Sequence, residues 1–445
     1  MTSVAGGPVR AQPPVENEPV QAEPTGQARP PTPTGEPDGT GHPALRGLPA
    51  VWLRANCPCA GCRDPGSGQR LVTITDLPAE VTVTGVRAAD ATVEVVFGPD
   101  GHRAVFPAAW LARYGDPAGG DRTGPGRGGR AGTEQDDDRT EDAKRLWAAA
   151  DLGGEPPQGW WPRYLADPAH RRSCLSAVLA LGVIVLHDVP CEPGAVLAVA
   201  RSLGYVRETN YGKLFDVRAE RAPANLAFTR LPIAPHTDNP YRDPVPTVQL
   251  LHCLRGAPGG GESTFTDGFQ AAAVLRSQDP AAFDCLTTTP VTFAYSDAGT
   301  ELRATGPMIG LDPRGRIRQI RLNGRSLTPI RLPAAQARSF YAAYRAFAEL
   351  AASPEAMVTA LLAPGDCAIF DNTRVLHGRT GFTDAAAAHR GGTHNQSTGQ
   401  RHLQGCYADL DGLASAAAVL ARSDGGHPGH GGHPGRDGRD GRAGS

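Results

Sequence analysis

Gly365-Asp366-Cys367-Ala368-Ile369-Phe370-Asp371-Asn372-Thr373-Arg374-Val375-Leu376-His377-Gly378 reads as a turn, a buried strand and then a histidine at the strand's end. Far upstream, His236-Thr237-Asp238 lies on extended sequence, where residues i and i+2 point to the same side. An imidazole and a carboxylate then converge on one point, and His377 is the candidate third donor from a distant strand. Two histidines and one carboxylate leave three octahedral positions open, the arrangement of iron(II) oxygenases. Those positions take a chelating co-substrate and O2. Taken alone, His-x-Asp is a common triplet, and most copies are surface or structural polar residues. The surrounding sequence has to carry the reading.

Working outward, short strands separated by turns recur from Gly182-Val183-Ile184-Val185-Leu186-His187 to Tyr407. No βαβ rhythm repeats. The pattern favours an antiparallel double-sheet jelly roll within a mainly β, α+β class, over a doubly wound fold. Helical sequence is expected at 143–150, at 173–181 and at 334–352, with Pro333 opening the last because a first-turn proline loses no helical hydrogen bond. A small β-rich module precedes this domain. Its expected strands are Leu71-Val72-Thr73-Ile74-Thr75 and Thr92-Val93-Glu94-Val95-Val96-Phe97, followed by a Pro99-Asp100-Gly101 turn. Composition sets the expected boundaries: a disordered tail over 1–46, the small module over 47–114, a flexible linker over 115–141, the large domain over 142–422 and a Gly/His-rich tail over 423–445. His427, His430 and His433 in that tail offer weak metal ligands, with low-complexity disorder as the plainer reading.

The formal net charge of −2 over 445 residues supplies no field for nucleic acid or an anionic membrane. No apolar run approaches the ~20 residues that span a bilayer. Met1-Thr2-Ser3-Val4-Ala5-Gly6-Gly7 lacks a basic stretch leading into an apolar one, so no secretory signal is expected. Nine cysteines in so long a chain do not suggest a disulfide scaffold. Three of them crowd into Cys57-Pro58-Cys59-Ala60-Gly61-Cys62 and the rest are scattered, which suggests a reducing, cytoplasmic compartment. Three thiolates in one tight turn suit tetrahedral Zn²⁺ if a fourth ligand is supplied. Ordinary buried or redox-active thiols are the alternative.

Several longer motifs are similar to one family. His236-Thr237-Asp238-Asn239-Pro240-Tyr241 followed by Val248-Gln249-Leu250-Leu251-His252-Cys253 resembles the γ-butyrobetaine dioxygenases, relatives of the trimethyllysine and taurine dioxygenases. So do Phe370-Asp371-Asn372 with Leu376-His377-Gly378-Arg379, and Arg401-His402-Leu403-Gln404-Gly405-Cys406-Tyr407-Ala408-Asp409. Trp52-Leu53-Arg54-Ala55-Asn56-Cys57-Pro58-Cys59 extends the resemblance into the small module.

The resemblance implies a double-stranded β-helix with Fe(II) on His236, Asp238 and His377, consuming 2-oxoglutarate and O2 and releasing succinate and CO2. It implies that Arg401 holds the distal carboxylate of 2-oxoglutarate, which a planar guanidinium suits, with the Ser263 hydroxyl assisting. The stretch 383–400 is longer than the family pattern, and Arg379 or Arg390 competes on spacing; only Arg401 stands in the matching motif. His102, after the Asp100-Gly101 turn, matches the fourth ligand of a structural zinc site with Cys57, Cys59 and Cys62. A homodimer is also implied.

Members of the family hydroxylate trimethylammonium compounds. A quaternary ammonium donates no hydrogen bond, so aromatic faces must recognise it through cation–π attraction of ~0.5–2 kcal/mol per contact. Tyr211, Phe215, Phe228 and Tyr407 stand at the matching positions, Phe215 where the family carries Trp and Phe228 where it carries Tyr. Asn239 replaces an aromatic, and Asn225 and Asn323 match amides that hold the substrate carboxylate. Any one aromatic at strand spacing can equally be core. The implied reaction is hydroxylation of a γ-butyrobetaine-like acid, as in carnitine biosynthesis. An aminophosphonate, a sulfonate or a secondary metabolite remains open, and phosphonate or sulfonate cleavage would require a further pocket cation such as Arg230 or Arg325. A zinc-bearing interaction protein with a decayed jelly roll is the non-enzymatic alternative.

Overall fold

The computed structural model describes residues 43–66, 68–114, 144–218, 229–257, 259–297, 299–383 and 401–424. Asn225, Phe228, Arg390, His427, His430, His433, the 115–141 linker and nearly all of the 383–400 stretch lie outside them. Of the N-terminal tail only 43–46 is described. There Pro43–Leu45 forms a 3-10 turn with Leu45 fully buried.

In the small module, helix α1 (Ala50–Ala55) precedes an antiparallel meander of β1 (Thr82–Ala89), β2 (Thr92–Gly98) and β3 (Arg103–Pro107), closed by α2 (Ala108–Tyr114). Val93, Val95 and Phe97 on β2 and Ala104 and Phe106 on β3 alternate inward, as a one-sided sheet requires. The strand expected at 71–75 does not form. Thr73 hydroxyl donates to the Asp76 carboxylate at 2.8 Å and the Thr73 amide to the same oxygen at 2.6 Å, a capping box that turns the chain into a 3-10 helix, Ile74–Asp76.

The large domain runs β4 (Gln158–Trp160), α3 (Trp161–Ala166), α4 (Pro168–Leu181), β5 (Val183–His187), α5 (Ala195–Leu203), β6 (Val206–Arg207), β7 (Phe215–Arg218), β8 (Ile233–His236) and β9 (Val248–Arg255). It continues through β10 (Gly259–Gly260), β11 (Ser263–Asp267), α6 (Gly268–Gln278), α7 (Pro280–Thr288), β12 (Val291–Ser296), β13 (Glu301–Gly306), β14 (Ile309–Leu311) and β15 (Ile317–Ile320). It ends with α8 (Ala334–Ala352), β16 (Met357–Ala360), β17 (Cys367–Asp371), β18 (Val375–Arg379), β19 (Phe382–Thr383), β20 (His402–Ala408) and α9 (Leu410–Asp424). The class is mixed α+β, as expected. Helix α4 begins ahead of the expected 173–181: the Asp167 carboxylate caps Ala169 and His170, Pro168 opens it, and left-handed Gly182 ends it. Pro333 sits one position earlier than expected, as the N-cap of α8. The helix expected at 143–150 is replaced by a short 3-10 turn, Ala149–Leu152, because tertiary partners engage the preceding backbone. The Arg145 amide donates to Ala180 O, its carbonyl accepts from Arg374, and the Trp147 amide donates to Asp267.

Two sheets carry the domain. The larger has the order β4-β5-β17-β9-β20-β6, with β7 also on β20, and is antiparallel apart from β4/β5. The smaller, β16-β11-β18-β8, is antiparallel throughout. Their inner faces meet at Phe265 of β11 and Phe370 of β17, with ring centroids 5.5 Å apart, inside one buried cluster that takes Ala368 and Leu403 from one sheet and Val358 and Val375 from the other. Strand β17 has neighbours on both edges and is buried along its whole length, which is why it reads as an unbroken apolar run.

The Asn372-Thr373-Arg374 turn carries the chain from the large sheet straight into the small one. Arg374 is fully buried, and its guanidinium grips the Asp267 carboxylate through Nε at 3.0 Å and Nη2 at 2.8 Å. The remaining donors reach Ala180 O and Arg145 O. Removing one member of a fully satisfied buried pair strands the other charge. Arg374→Ala is therefore expected to lower the unfolding free energy by about 3–5 kcal/mol, read as a shift of the urea midpoint. Loss of less than about 1 kcal/mol, the level of an exposed pair, would contradict this account of the crossover.

Candidate active site

The site starts from a register. Strand β18 pairs with β8 so that His377 stands opposite His236, with ring centroids 4.2 Å apart. Beyond that pair the register shifts by a bulge, and Gly378 makes it possible: a Cβ there would lie 2.6 Å from both Ile233 O and the Thr264 hydroxyl. Pro235 is tolerated because β8 is an edge strand. The chain after His236 is clamped from two sides. Asn372 accepts from the Asp238 amide at 2.7 Å and donates to the Asp238 carbonyl at 3.0 Å, while the Thr237 amide donates to Leu322 O at 2.9 Å.

Donor atoms of His236, Asp238 and His377 consequently lie within 4.8 Å of one another. His236 Nδ1 is 3.0 Å from the Ala234 carbonyl, which fixes the proton there and leaves Nε2 bare, 3.3 Å from Asp238 Oδ1. His377 Nε2 lies 3.9 Å from Asp238 Oδ2. Burial, and then the charge of His236, push the His377 imidazole down to about 3. Burial also lowers His236, with the Arg325 charge adding to it. Burial acts the other way on Asp238, but the close approach of His236 and the nearby charge of Arg325 outweigh it and hold the carboxyl well below the usual range. Two neutral imidazoles and an ionised carboxylate with converging lone pairs form a donor set that fits a divalent cation such as Fe(II).

The opposite sheet fixes the orientation of the carboxylate. Gln249 Nε2 donates to Asp238 Oδ2 at 2.9 Å and the Tyr407 hydroxyl donates to the same oxygen at 3.0 Å. The two are cross-strand neighbours on β9 and β20. Gln249 carries one sequence signal, a polar residue inside a largely apolar strand, since a buried amide needs partners. Tyr407 was expected as an aromatic wall; its hydroxyl has this further contact.

The cavity in front of the three donors has a volume of about 490 Å³. Ser263, Arg379 and Arg401 line one end. Arg379 Nη2 donates to the carbonyls of Thr229 and Leu231, and its guanidinium lies 4.8 Å from the Phe382 ring. Arg401 is buried 5.7 Å from the same ring, and its guanidinium makes no hydrogen bond or ion pair with any described residue. At the other end Tyr211, Phe215 and Tyr407 form a wall, joined by Tyr241 and Tyr295. Phe215 and Tyr407 centroids are 5.2 Å apart, Tyr211 lies 5.8 Å from Tyr295, and Tyr241 stacks on Tyr295 at 5.2 Å. Tyr295 was not anticipated, since on β12 it is one more strand aromatic. Arg325 also lines the cavity; among the described residues around it Arg230 does not, its carbonyl accepting from the Phe382 amide.

Asn239 and Asn323 both line the cavity. Asn323 Nδ2 donates to Thr237 O at 2.9 Å, and its Oδ1 accepts from the Arg325 amide at 3.2 Å, so the backbone fixes the orientation of the amide. Asn239, left-handed at φ 52°, accepts from the Tyr241 hydroxyl at 2.7 Å.

In the small module a second cluster forms. His102 Nε2 lies 3.2, 3.6 and 3.7 Å from the sulfurs of Cys57, Cys59 and Cys62, spacings that suit ligands around a tetrahedral ion. A hydrogen bond from Cys57 lowers the Cys62 thiol to about 5, against the effect of burial, and Arg54 assists from 3.2 Å. No helix among the described residues is long and apolar enough to cross a membrane.

With this geometry in hand, comparison with known proteins is direct. Residues 150–407 match the Taurine catabolism dioxygenase TauD, TfdA family, and residues 44–112 match the Gamma-butyrobetaine hydroxylase-like, N-terminal family. The γ-butyrobetaine dioxygenase of Pseudomonas sp. (strain AK-1) is 35% identical over 383 residues, covering 84% of this chain and 90% of its own. The Homo sapiens γ-butyrobetaine dioxygenase is 29% identical, with coverage of 84% and 90%. The trimethyllysine dioxygenase of Meyerozyma guilliermondii is 27% identical, over 83% and 89%. An asparagine oxygenase structure in complex with Fe(II), 3-hydroxyasparagine and succinate aligns at TM-score 0.41 and 21% identity, over 56% of this chain and 82% of that one. The protein is a 2-oxoglutarate-dependent dioxygenase. Within that class it belongs to the γ-butyrobetaine dioxygenase family.

The Asp238 contacts give a prediction. Groups that orient a metal ligand typically tune metal affinity by about 10–100-fold. Tyr407→Phe and Gln249→Leu are each expected to weaken Fe(II) retention within that range, measured by competition with a chelator. Wild-type affinity in both variants would show that the two hydrogen bonds do not orient the ligand.

Proposed function

We propose that this enzyme hydroxylates an unactivated C–H bond of a small trimethylammonium, γ-butyrobetaine-like acid, using Fe(II), 2-oxoglutarate and O2 and releasing succinate and CO2. The observation that carries the reading is the convergence of His236, Asp238 and His377 in a cavity with an arginine, unpaired among the described residues, at one end and an aromatic wall at the other. Those three residues would hold the iron, which when bound supplies the oxidising chemistry by activating O2 at the expense of 2-oxoglutarate. Arg401 would clamp the distal carboxylate of the co-substrate with Ser263 assisting. Its guanidinium has two parallel donors for a carboxylate and no competing partner among the described residues. Tyr211, Phe215, Tyr241, Tyr295 and Tyr407 would face the quaternary ammonium, with Phe228 and Asn225 added by resemblance alone. Fixing both ends of the substrate holds one C–H bond in reach of the oxidant, and the aromatic wall keeps water from the same position.

The two facing sheets are read as a double-stranded β-helix. Cys57, Cys59, Cys62 and His102 would hold a structural Zn²⁺ in a closed four-ligand site, which stabilises the module without doing chemistry.

Succinate release with Fe(II), ascorbate and a panel of betaines and aminophosphonates tests the proposal. Wild-type protein should couple succinate formation to product with a trimethylammonium acid, and His236→Ala or Asp238→Ala should abolish it. Normal turnover in either variant contradicts the site. Arg401→Lys should raise KM for 2-oxoglutarate by about tenfold or more, because an ammonium cannot reproduce the bidentate contact. An unchanged KM would move that role to Arg379.

A further inference from the structure

Two buried nitrogen donors face the cavity with nothing to bond. Arg325 Nη1 is sealed from solvent and makes no hydrogen bond among the described residues, and the same holds for Asn239 Nδ2. For Asn239 the reason is visible in a chain of hydroxyls. Tyr241 donates to Asn239 Oδ1 at 2.7 Å and so accepts from Tyr211, whose oxygen lies at 3.0 Å. The amide's acceptor is therefore engaged, and only its N–H groups remain. Arg325 has donors only, and it forms no ion pair with Asp238, whose Oδ2 already accepts from Gln249 and Tyr407. Asn239 borders Tyr241 through that hydrogen bond, and Arg325 lines the same cavity.

Arg325 is half-buried, but its sealed Nη1 donor is costly without a partner, and a ligand can supply the counter-charge. The loop bearing Arg325 is also held firmly. Arg70 Nη1 donates to Gly324 O at 2.5 Å and Leu327 O at 2.8 Å, and its Nη2 donates to Asn56 Oδ1 at 2.7 Å. Arg325 is thus presented on a braced loop rather than left to swing into solvent. Asn323, the residue that resemblance assigns to the substrate's acid, gives one of its two amide hydrogens to Thr237 O and accepts from the Arg325 amide.

We propose that Arg325 and Asn239 form the subsite for the anionic head of the substrate, an oxyanion that is either a carboxylate or a phosphonate. The proposal rests on the hydroxylase reading above and adds an orientation. The acid lies on the Tyr241 side beside Arg325, so the quaternary ammonium is driven to the far end of the aromatic wall, over Phe215 and Tyr407. A guanidinium repels an ammonium placed next to it, and the two ends cannot exchange.

The test uses the full-length Fe(II)/2-oxoglutarate protein without O2, titrated with γ-butyrobetaine, its phosphonate analogue and its uncharged methyl ester, in wild type and R325Q. Affinity for the acid and for the phosphonate is expected to fall by about 30-fold in R325Q, the scale of a lost hydrogen bond to a charged group, while affinity for the ester stays level. R325K should recover part of the loss, and the tighter of the two anions identifies the head group. Affinity for 2-oxoglutarate, followed by its visible charge-transfer absorbance with iron, should not change. Equal losses for acid and ester, weakened 2-oxoglutarate binding, or a wild type that binds neither anion each overturns the proposal. The hydroxylase reading fails by a separate signature, the absence of iron-dependent succinate release with every compound.

Discussion

The pairing of β18 with β8, which sets His377 opposite His236, is the constraint on which the rest of the site depends. Side chains alternate along a strand, so a slip of one residue would turn His377 to the other face and leave an isolated His-x-Asp. The fold defends that register redundantly. Gly378 lets the edge strand close in, Asn372 clamps the backbone of Asp238, and the Arg374–Asp267 pair fixes the crossover between the sheets. All of these except Asp267 lie within residues 365–378. One short stretch therefore builds the crossing, supplies a proposed iron ligand and holds the backbone of another.

Much of this was legible in the sequence because the signals are local. The apolar run of β17, the same-side geometry of His236 and Asp238, and the clustered cysteines each need only a few adjacent residues to be read. What escaped was decided by partners far along the chain. The segment 71–75 has strand-like alternation, but Thr73 finds Asp76 three residues on, and the local hydrogen bonds prevail. The apolar residues near Trp147 read as helix, yet their backbone is engaged by Ala180, Asp267 and Arg374. Asn323 was correctly brought to the cavity, but the sequence could not tell that Thr237 engages its amide. Tyr295 gave no sign of its role, because nothing in a β-hairpin announces which cavity it borders.

The small module is not an appendage. Its core continues into that of the large domain, where Trp52 donates to Ile330 O at 2.9 Å and Arg345 reaches the carbonyls of Leu77 and Pro78. The loop that leaves Cys62 brings Gly66, Gly68 and Gln69 to the cavity wall before Arg70 ties it to the 323–327 loop. The cysteine cluster thus stands within a few residues of the cavity wall.

The central claim is that two imidazoles and one carboxylate, brought together by that register, hold a single ferrous ion. Equilibrium dialysis against Fe(II) without O2 tests it most directly, using wild type, His377→Ala and Cys57→Ala. The account predicts about one iron per chain in the wild type, lost in His377→Ala and kept in Cys57→Ala. Iron retained at wild-type affinity after removal of His377, or lost with Cys57 alone, would contradict it.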